Sequence, residues 1–468
     1  MIKLSFIKES LVFTIGNALP VLASVILLPF YANLLSSSNY VALSFYIGIS
    51  LLYQILFSFS FEQYYGVIFT ENKDDANKIK VLNGSTLLYL IVQGIIIILL
   101  SLLIGDSLFK IIFTEKSIEV HFYPYGLISI LTGFLNALFK VSCAPFIYSQ
   151  SAKLFFSTNI INFFATLCLS LSGLYVYPDS LNGPIYGRFF SGLIIVLFNL
   201  ILLHNQIEWN IEWKFIKEYI HKSWALFAYS IVNWITGNID RYFLKSYIDV
   251  NELASYDLIM KCFIGIEFIQ NGLGIAIIAK IFDDWKKNNT ISLNTNAGKY
   301  SQGFVISIFL SILVFILILP FFIKLIIHEQ YYYSGFKYLP LIASAYIIRS
   351  ISYPYYFAFL YAKKTHKMFQ LNFLTIIFQI LLSWWFIPIG GLASAVFISI
   401  ASKFIQIILY HLSFQNFIYC KFKKTMAGNI YSSHFISNPF IFCIEFEYFL
   451  KQCIIFLYFD FSYNYLLL

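Results

Sequence analysis

Apolar residues in this chain run together instead of alternating with polar ones. Twelve such stretches, at 11–35, 40–61, 81–104, 122–148, 154–177, 183–203, 223–244, 255–279, 303–327, 339–361, 368–387 and 390–412, follow one another with short polar breaks. A helix needs roughly 20 apolar residues to cross a bilayer, and each stretch approaches or exceeds that length. Lipid offers no partner to a backbone N–H or C=O, so a spanning segment is either a helix or a strand of a closed barrel. A barrel would show ten-residue alternating segments, which are absent here. The pattern predicts an all-α polytopic membrane protein with about twelve transmembrane helices. The run beginning at Leu11 is too long for the core of a cleavable signal and has no small-residue cleavage site before the next span, so the first span is expected to stay.

The twelve spans read as two related halves. Asn39 to Leu43, after the first span, corresponds to Glu252 to Tyr256, after the seventh, with positions 39 and 252 lying 213 apart. Lys153-Leu154-Phe155 corresponds to Lys367-Met368-Phe369 at a separation of 214, and Gly183 to Gly187 resembles Gly390 to Ala395. A near-constant offset signals an internal repeat. The expected organisation is a six-helix bundle at 1–203, an amphipathic linker at 204–222, a second six-helix bundle at 223–412 and a tail at 413–468, interfacial or poorly ordered. Six is an even number, so both halves enter the membrane the same way round. They would be related by an axis along the membrane normal, with a central cavity between them.

Composition fits this class: 59% of residues are hydrophobic, 12% are charged and the mean hydropathy is +0.76. The net charge of +8 is mostly topology. With the N-terminus placed inside, nineteen lysines fall on the inner side, whereas the outer side holds only Lys110, Lys116, Lys245 and Lys337. Basic loops stay in the cytoplasm, so both ends of the bundle are expected there, in a bacterial cytoplasmic (inner) membrane. The outer loops are too short to form a domain. The inner stretch 204–223 carries Trp209, Trp213, Ile216 and Ile220 at helical spacing, which predicts a helix lying in the interface.

No chemistry of the enzymatic kind is written in the chain. Its six cysteines are scattered without a CxxC pair and read as small core residues. The histidines lack metal-binding spacing, and no nucleophile elbow or phosphate loop occurs. No catalytic residue, metal, cofactor or nucleic-acid partner is expected. The informative residues are charges inside the apolar spans, which are costly in lipid and mark substrate or ion paths. These are Lys140, Arg188, Asp240, Arg241, Asp257, Lys261, Glu267, Arg349 and Lys403, while Glu62 and Lys324 sit close enough to span ends to act as anchors. Asp257 and Lys261, four apart, can neutralise each other on one helix face. Asp240 and Arg241 form a structural ion pair or a gate near the outer end. Arg349 and Lys403 have no acid within four residues and are read, with Lys140, Arg188 and Lys261, as cavity cations. Such an excess suits a diphosphate, which Arg grips through paired N–H donors and Lys as a point charge. Glu267 is the candidate for ion coupling, or makes a structural hydrogen bond.

Three segments carry a resemblance. LLPFYANLLSSSNYVALSFYIGIS in the first two spans, NIDRYFLKSYIDVNELASYDLIMK at 238–261 and YAKKTHKMFQLNFLTIIFQILLSWWFIPIGGLASAVFISIASK at 361–403 are similar to the Wzx-type O-antigen and capsular polysaccharide flippases of the MOP superfamily. Two glycines of the family pattern are Val41 and Ala254 here. The resemblance implies that the chain flips undecaprenyl-diphosphate-linked oligosaccharide units to the outer leaflet by alternating access. It also implies membrane lipids, a polysaccharide polymerase and a chain-length regulator as partners. A MurJ-like lipid II flippase is the nearest alternative. A MATE-type drug antiporter would want an acidic cavity, and a membrane glycan polymerase a large outer loop.

Overall fold

A computed structural model describes residues 4–72, 74–114, 118–288, 291 and 295–426. The described residues are helical with short connections. The helices are α1 (Leu4–Leu34), α2 (Ser37–Ser58), α3 (Phe61–Asn72), α4 (Ala76–Ile112), α5 (Leu127–Tyr148), α6 (Ala152–Val176), α7 (Asn182–Leu203), α8 (Trp213–Leu244), α9 (Val250–Cys262), α10 (Ile264–Lys287), α11 (Asn296–Ile326), α12 (Leu339–Tyr361) and α13 (Thr365–Met426). Nine segments among them are long and apolar enough to span a membrane. Helices α8 and α12 are long enough to cross but too polar to stand among these nine. α13 supplies two crossings, because Gly391 takes a left-handed φ of 53° just after Pro388 and folds the helix back. Faces bearing Leu103, Ile111, Leu317, Phe321, Trp384 and Trp385 are exposed, as lipid-facing surfaces should be.

The connections sort into two ends. Asn33 at the close of α1 donates to the carbonyl of Ile326 at the close of α11 (2.7 Å), and Ser36 meets Asp179. Lys245 after α8 reaches the carbonyl of Ile112 after α4. Every one of these turns belongs to the lysine-poor set. In the lysine-rich set, Glu208 donates from its backbone to Lys80 (3.0 Å), and Trp224 packs edge-on against His366. Turns of one set meet their own kind, as a chain that runs back and forth through a slab requires.

Helices α1, α2, α5, α6 and α7 pack on one another, as do α8, α10, α11, α12 and α13, and the groups meet where α2 lies against α8 and α9. Small residues let α6 and α7 approach backbone to backbone: Gly183 faces Gly173, and Gly187 faces Ser170. The 213-residue offset has a structural counterpart. Ser36 caps α2 and Asp249 caps α9; Tyr148 ends α5 and Tyr361 ends α12; Ala152 opens α6 and Thr365 opens α13. Gln150 and Lys363, both non-glycine residues at positive φ (57° and 54°), turn the chain at matching points.

The linker differs from the helix expected at 204–223. Residues 207–212 are extended, and α8 starts only at Trp213. The reason is a competing set of hydrogen bonds to α4: Asn83 donates to the carbonyl of Gln206 (2.8 Å), and Ser85 donates to that of Asn210 (2.6 Å). Gly84 makes room, since a Cβ there would stand 1.8 Å from the Glu208 carbonyl oxygen. Beyond 412, α13 continues to Met426, and the aromatic-rich segment 435–459 lies outside the described residues.

Candidate functional site

Two groups of intramembrane charges form where the helices meet. The first joins α2, α7, α8 and α9. Asp257 accepts from Arg241 (2.9 Å), Lys261 (2.7 Å) and the Ser44 hydroxyl (2.8 Å), so one carboxylate holds two cations from two helices and a hydroxyl from a third. Asp240 is not the side-chain partner of Arg241. Its carboxylate accepts the Arg241 backbone N–H (2.9 Å) and the Tyr256 hydroxyl. The Lys261 ammonium lies over the Tyr40 ring, 4.9 Å from its centre.

Arg188 on α7 completes this group. It lies within electrostatic reach of Lys261, and its buried Nε finds no acceptor among the described residues. Counting full charges on Arg188, Arg241, Lys261, Asp240 and Asp257, the group carries one cation in excess. A buried charge without a partner is costly unless something polar or anionic meets it.

The second group lies between α8, α10, α12 and α13. The helical path from α9 to α10 breaks at Phe263, which stacks on Tyr346 (4.7 Å), and Glu267 follows on the first turn of α10. Arg349 on α12 reaches across to pair with Glu267; their side chains are 30% and 36% exposed. Lys403 on α13 is within electrostatic reach of both, and no hydrogen bond or ion pair to it is seen among the described residues. Tyr353 donates to Asn271 beside them (3.1 Å), and Tyr229 on α8 is within electrostatic reach of Arg349.

The sequence-predicted residues thus fall into distinct settings. Arg188, Asp240, Arg241 and Lys261 are brought together. Arg349, Lys403 and Glu267 form the second group, with the acid that was sought near Arg349 supplied from 82 residues away. Lys140 stands apart from both, paired with Glu62 (2.6 Å) between α5 and α3. Ser44, Tyr40, Tyr256 and Tyr353 were not singled out in the sequence, because an aromatic or a serine in an apolar span carries no signal of its neighbours. The one available clue was that Ser44 and Asp257 sit at the repeat offset. Among the described residues, no three His, Cys, Asp or Glu side chains stand close enough to hold a metal ion.

The fold is similar to that of solved transporters of the MOP superfamily. The chain superposes on the lipid II flippase MurJ in an inward closed conformation with a TM-score of 0.66 at 13% identity, covering 98% of each chain. An outward-facing multidrug-resistance MATE transporter gives 0.62 at 13% identity, over 88% of this chain and 95% of that one. A MOP superfamily transporter from Pyrococcus furiosus, described by the reversed polarity of its binding pocket, gives 0.58 at 13% identity over 87% and 94%. No protein-family model matches the sequence. No curated protein matches it either.

Proposed function

We propose that this protein is a transporter of the bacterial cytoplasmic membrane that flips an undecaprenyl-diphosphate-linked oligosaccharide, the repeat unit of an O-antigen or capsule, to the outer leaflet. The observation that carries the reading is a pair of intramembrane cations that form no ion pair with any described residue, Arg188 in the first half and Lys403 in the second. Arg188 belongs to the charge group at the seam between the halves, and Lys403 to the group within the second half. A diphosphate supplies the missing charge, with Arg188 offering paired N–H donors and Lys403 a mobile point charge. Arg349 and Lys261 would join when the headgroup draws them from Glu267 and Asp257. A cationic drug would meet repulsion at the same places, which disfavours a MATE-like role.

In this reading the bundles at 1–203 and 223–412 rock about the seam, with α2, α8 and α9 as the moving contact. The N-terminus lies in the cytoplasm, the headgroup crosses between the bundles and the polyprenyl tail stays in lipid. Separation of Glu267 from Arg349 would free a carboxylate for ion coupling, and a polymerase with its chain-length regulator would take the product. MurJ-like transport of lipid II uses the same headgroup chemistry and is the second reading, supported by the extent of the MurJ superposition.

The test is flipping of a fluorescent polyprenyl-diphosphate oligosaccharide in proteoliposomes, run beside fluorescent lipid II and a cationic dye. Wild-type protein should move the oligosaccharide lipid, and Arg188→Ala and Lys403→Ala should each abolish movement while purifying in normal yield. Preferential movement of lipid II would select the second reading, and movement of the dye alone would refute both.

A further inference from the structure

Away from the two charge groups, three lysine-poor turns close around a cavity of about 220 Å3 lined by Asn39, Tyr46, Glu119, His121, Tyr123 and Asp179 with their neighbours. At ~30 Å3 per water this is room for about seven molecules, close to the bulk of one pyranose ring. The walls are braced. The Tyr46 hydroxyl accepts from the His121 N–H (2.8 Å) and donates to its carbonyl (3.0 Å). Asp179 Oδ1 accepts from the Ser36 N–H (2.6 Å) and the Asn39 amide (3.0 Å), and Tyr125 donates to Asn182 (2.9 Å).

With those bonds made, Glu119 makes no hydrogen bond or ion pair with any described residue, and Asp179, clamped by Ser36 and Asn39, is the second carboxylate of the lining. The His121 ring and the Ser180 hydroxyl add donor capacity. The ring of Tyr123 is 54% exposed and offers an open face. Two carboxylates repel a phosphate but accept from hydroxyls, an imidazole and a hydroxyl complement them, and a bare aromatic face takes the C–H side of a sugar ring.

We propose that this cavity binds one neutral sugar residue, at the lysine-poor end of the molecule. The inference rests on the flippase reading for its biological sense: the site would hold the glycan as it leaves, at the end opposite the basic loops.

Ligand-observed saturation-transfer NMR on full-length protein in nanodiscs tests it, with methyl glycosides of a neutral hexose and an N-acetylhexosamine as probes. Methyl glucuronide, inorganic pyrophosphate and tetramethylammonium serve as competitors. Neutral glycosides should bind, Tyr123→Ala and Glu119→Gln should each weaken them about tenfold, and Tyr123→Phe should retain them. Both residues are exposed, so their loss leaves the fold intact. Absence of sugar binding, binding unchanged in both variants, or displacement by pyrophosphate or tetramethylammonium that Tyr123→Ala abolishes would overturn the proposal. Sugar binding by a protein that flips no lipid would refute the transport reading alone. Flipping by a protein that binds no sugar would refute the cavity alone.

Discussion

Ser44 donates its hydroxyl proton to Asp257 at 2.8 Å, and the two residues are 213 positions apart in the chain. That number is also the offset at which α2 and α9 are capped, by Ser36 and Asp249. The Ser44–Asp257 bond therefore joins positions that the repeat offset makes equivalent in α2 and α9, and the Asp257 cluster forms around that contact. Cysteines in place of Gly48 on α2 and Asn238 on α8, where a Cβ at 48 would stand 3.6 Å from the Asn238 amide oxygen, should be joined by a short thiol cross-linker, and the joined protein should stop transporting until a cleavable linker is cut. Continued transport with the link in place would show that the two halves need not part.

Asp257 holds two cations in a space where its own side chain is 2% exposed. Removing one member of such a set strands the others, at a cost of about 3–5 kcal/mol. Asp257→Asn should therefore cut the free energy of unfolding in detergent by roughly that amount, whereas Asp106→Asn, at an exposed pair with Lys110, should change it by less than about 1 kcal/mol. Equal effects would show that the cluster is solvated.

Arg349 pairs with Glu267, so its loss has two consequences that a double substitution separates. Arg349→Ala should abolish export of surface polysaccharide with the protein still present in the membrane. Arg349→Lys should recover part, since one point charge replaces a two-pronged donor. If the arginine serves only to neutralise Glu267, Arg349→Ala with Glu267→Ala will export normally, and its role as a headgroup ligand is wrong.

The close approach of α6 and α7 gives a packing prediction. A Cβ at Gly183 would stand 2.3 Å from the Gly173 backbone, whereas nothing lies within 4 Å of one at Gly303. Gly183→Val should abolish the monodisperse peak in fluorescence-detection chromatography, and Gly303→Val should leave it. A normal peak for Gly183→Val would mean that these helices can separate without unfolding.

Asp179 links pH to the cavity. Partial burial works against its ionisation, but hydrogen bonds from the Ser36 N–H and the Asn39 amide hold its carboxyl below the usual range. A depressed value means that its contribution is present above the unfolded-state pKa, about 3.9 for Asp, and is lost only as pH falls through the lower folded value. Intrinsic-rate-corrected exchange protection of the Ser36 amide should be unchanged between pH 6 and about 4 and fall at more acid pH. Loss of protection already at pH 5 would show that the clamp is not ionic.

The sequence alone determined that the chain is an all-α polytopic membrane protein, at what offset it repeats and which loops are basic. All of these follow from short-range facts, since a fixed hydrocarbon thickness sets the length of each apolar run and a repeat keeps its offset. It did not decide which intramembrane charges are free. Glu62 read as an anchor, yet it neutralises Lys140; Asp240 read as the partner of Arg241, yet Asp257 takes that place. The linker read as a helix, yet α4 captures its backbone. In lipid a charge is satisfied by whatever side chain the packed helices bring within about 3 Å, and that partner can come from 16, 78 or 213 residues away. Only the tertiary packing of α2, α8 and α9 could place Ser44 on Asp257 and leave Arg188 with no ion pair among the described residues, because proximity across helices has no period in the chain.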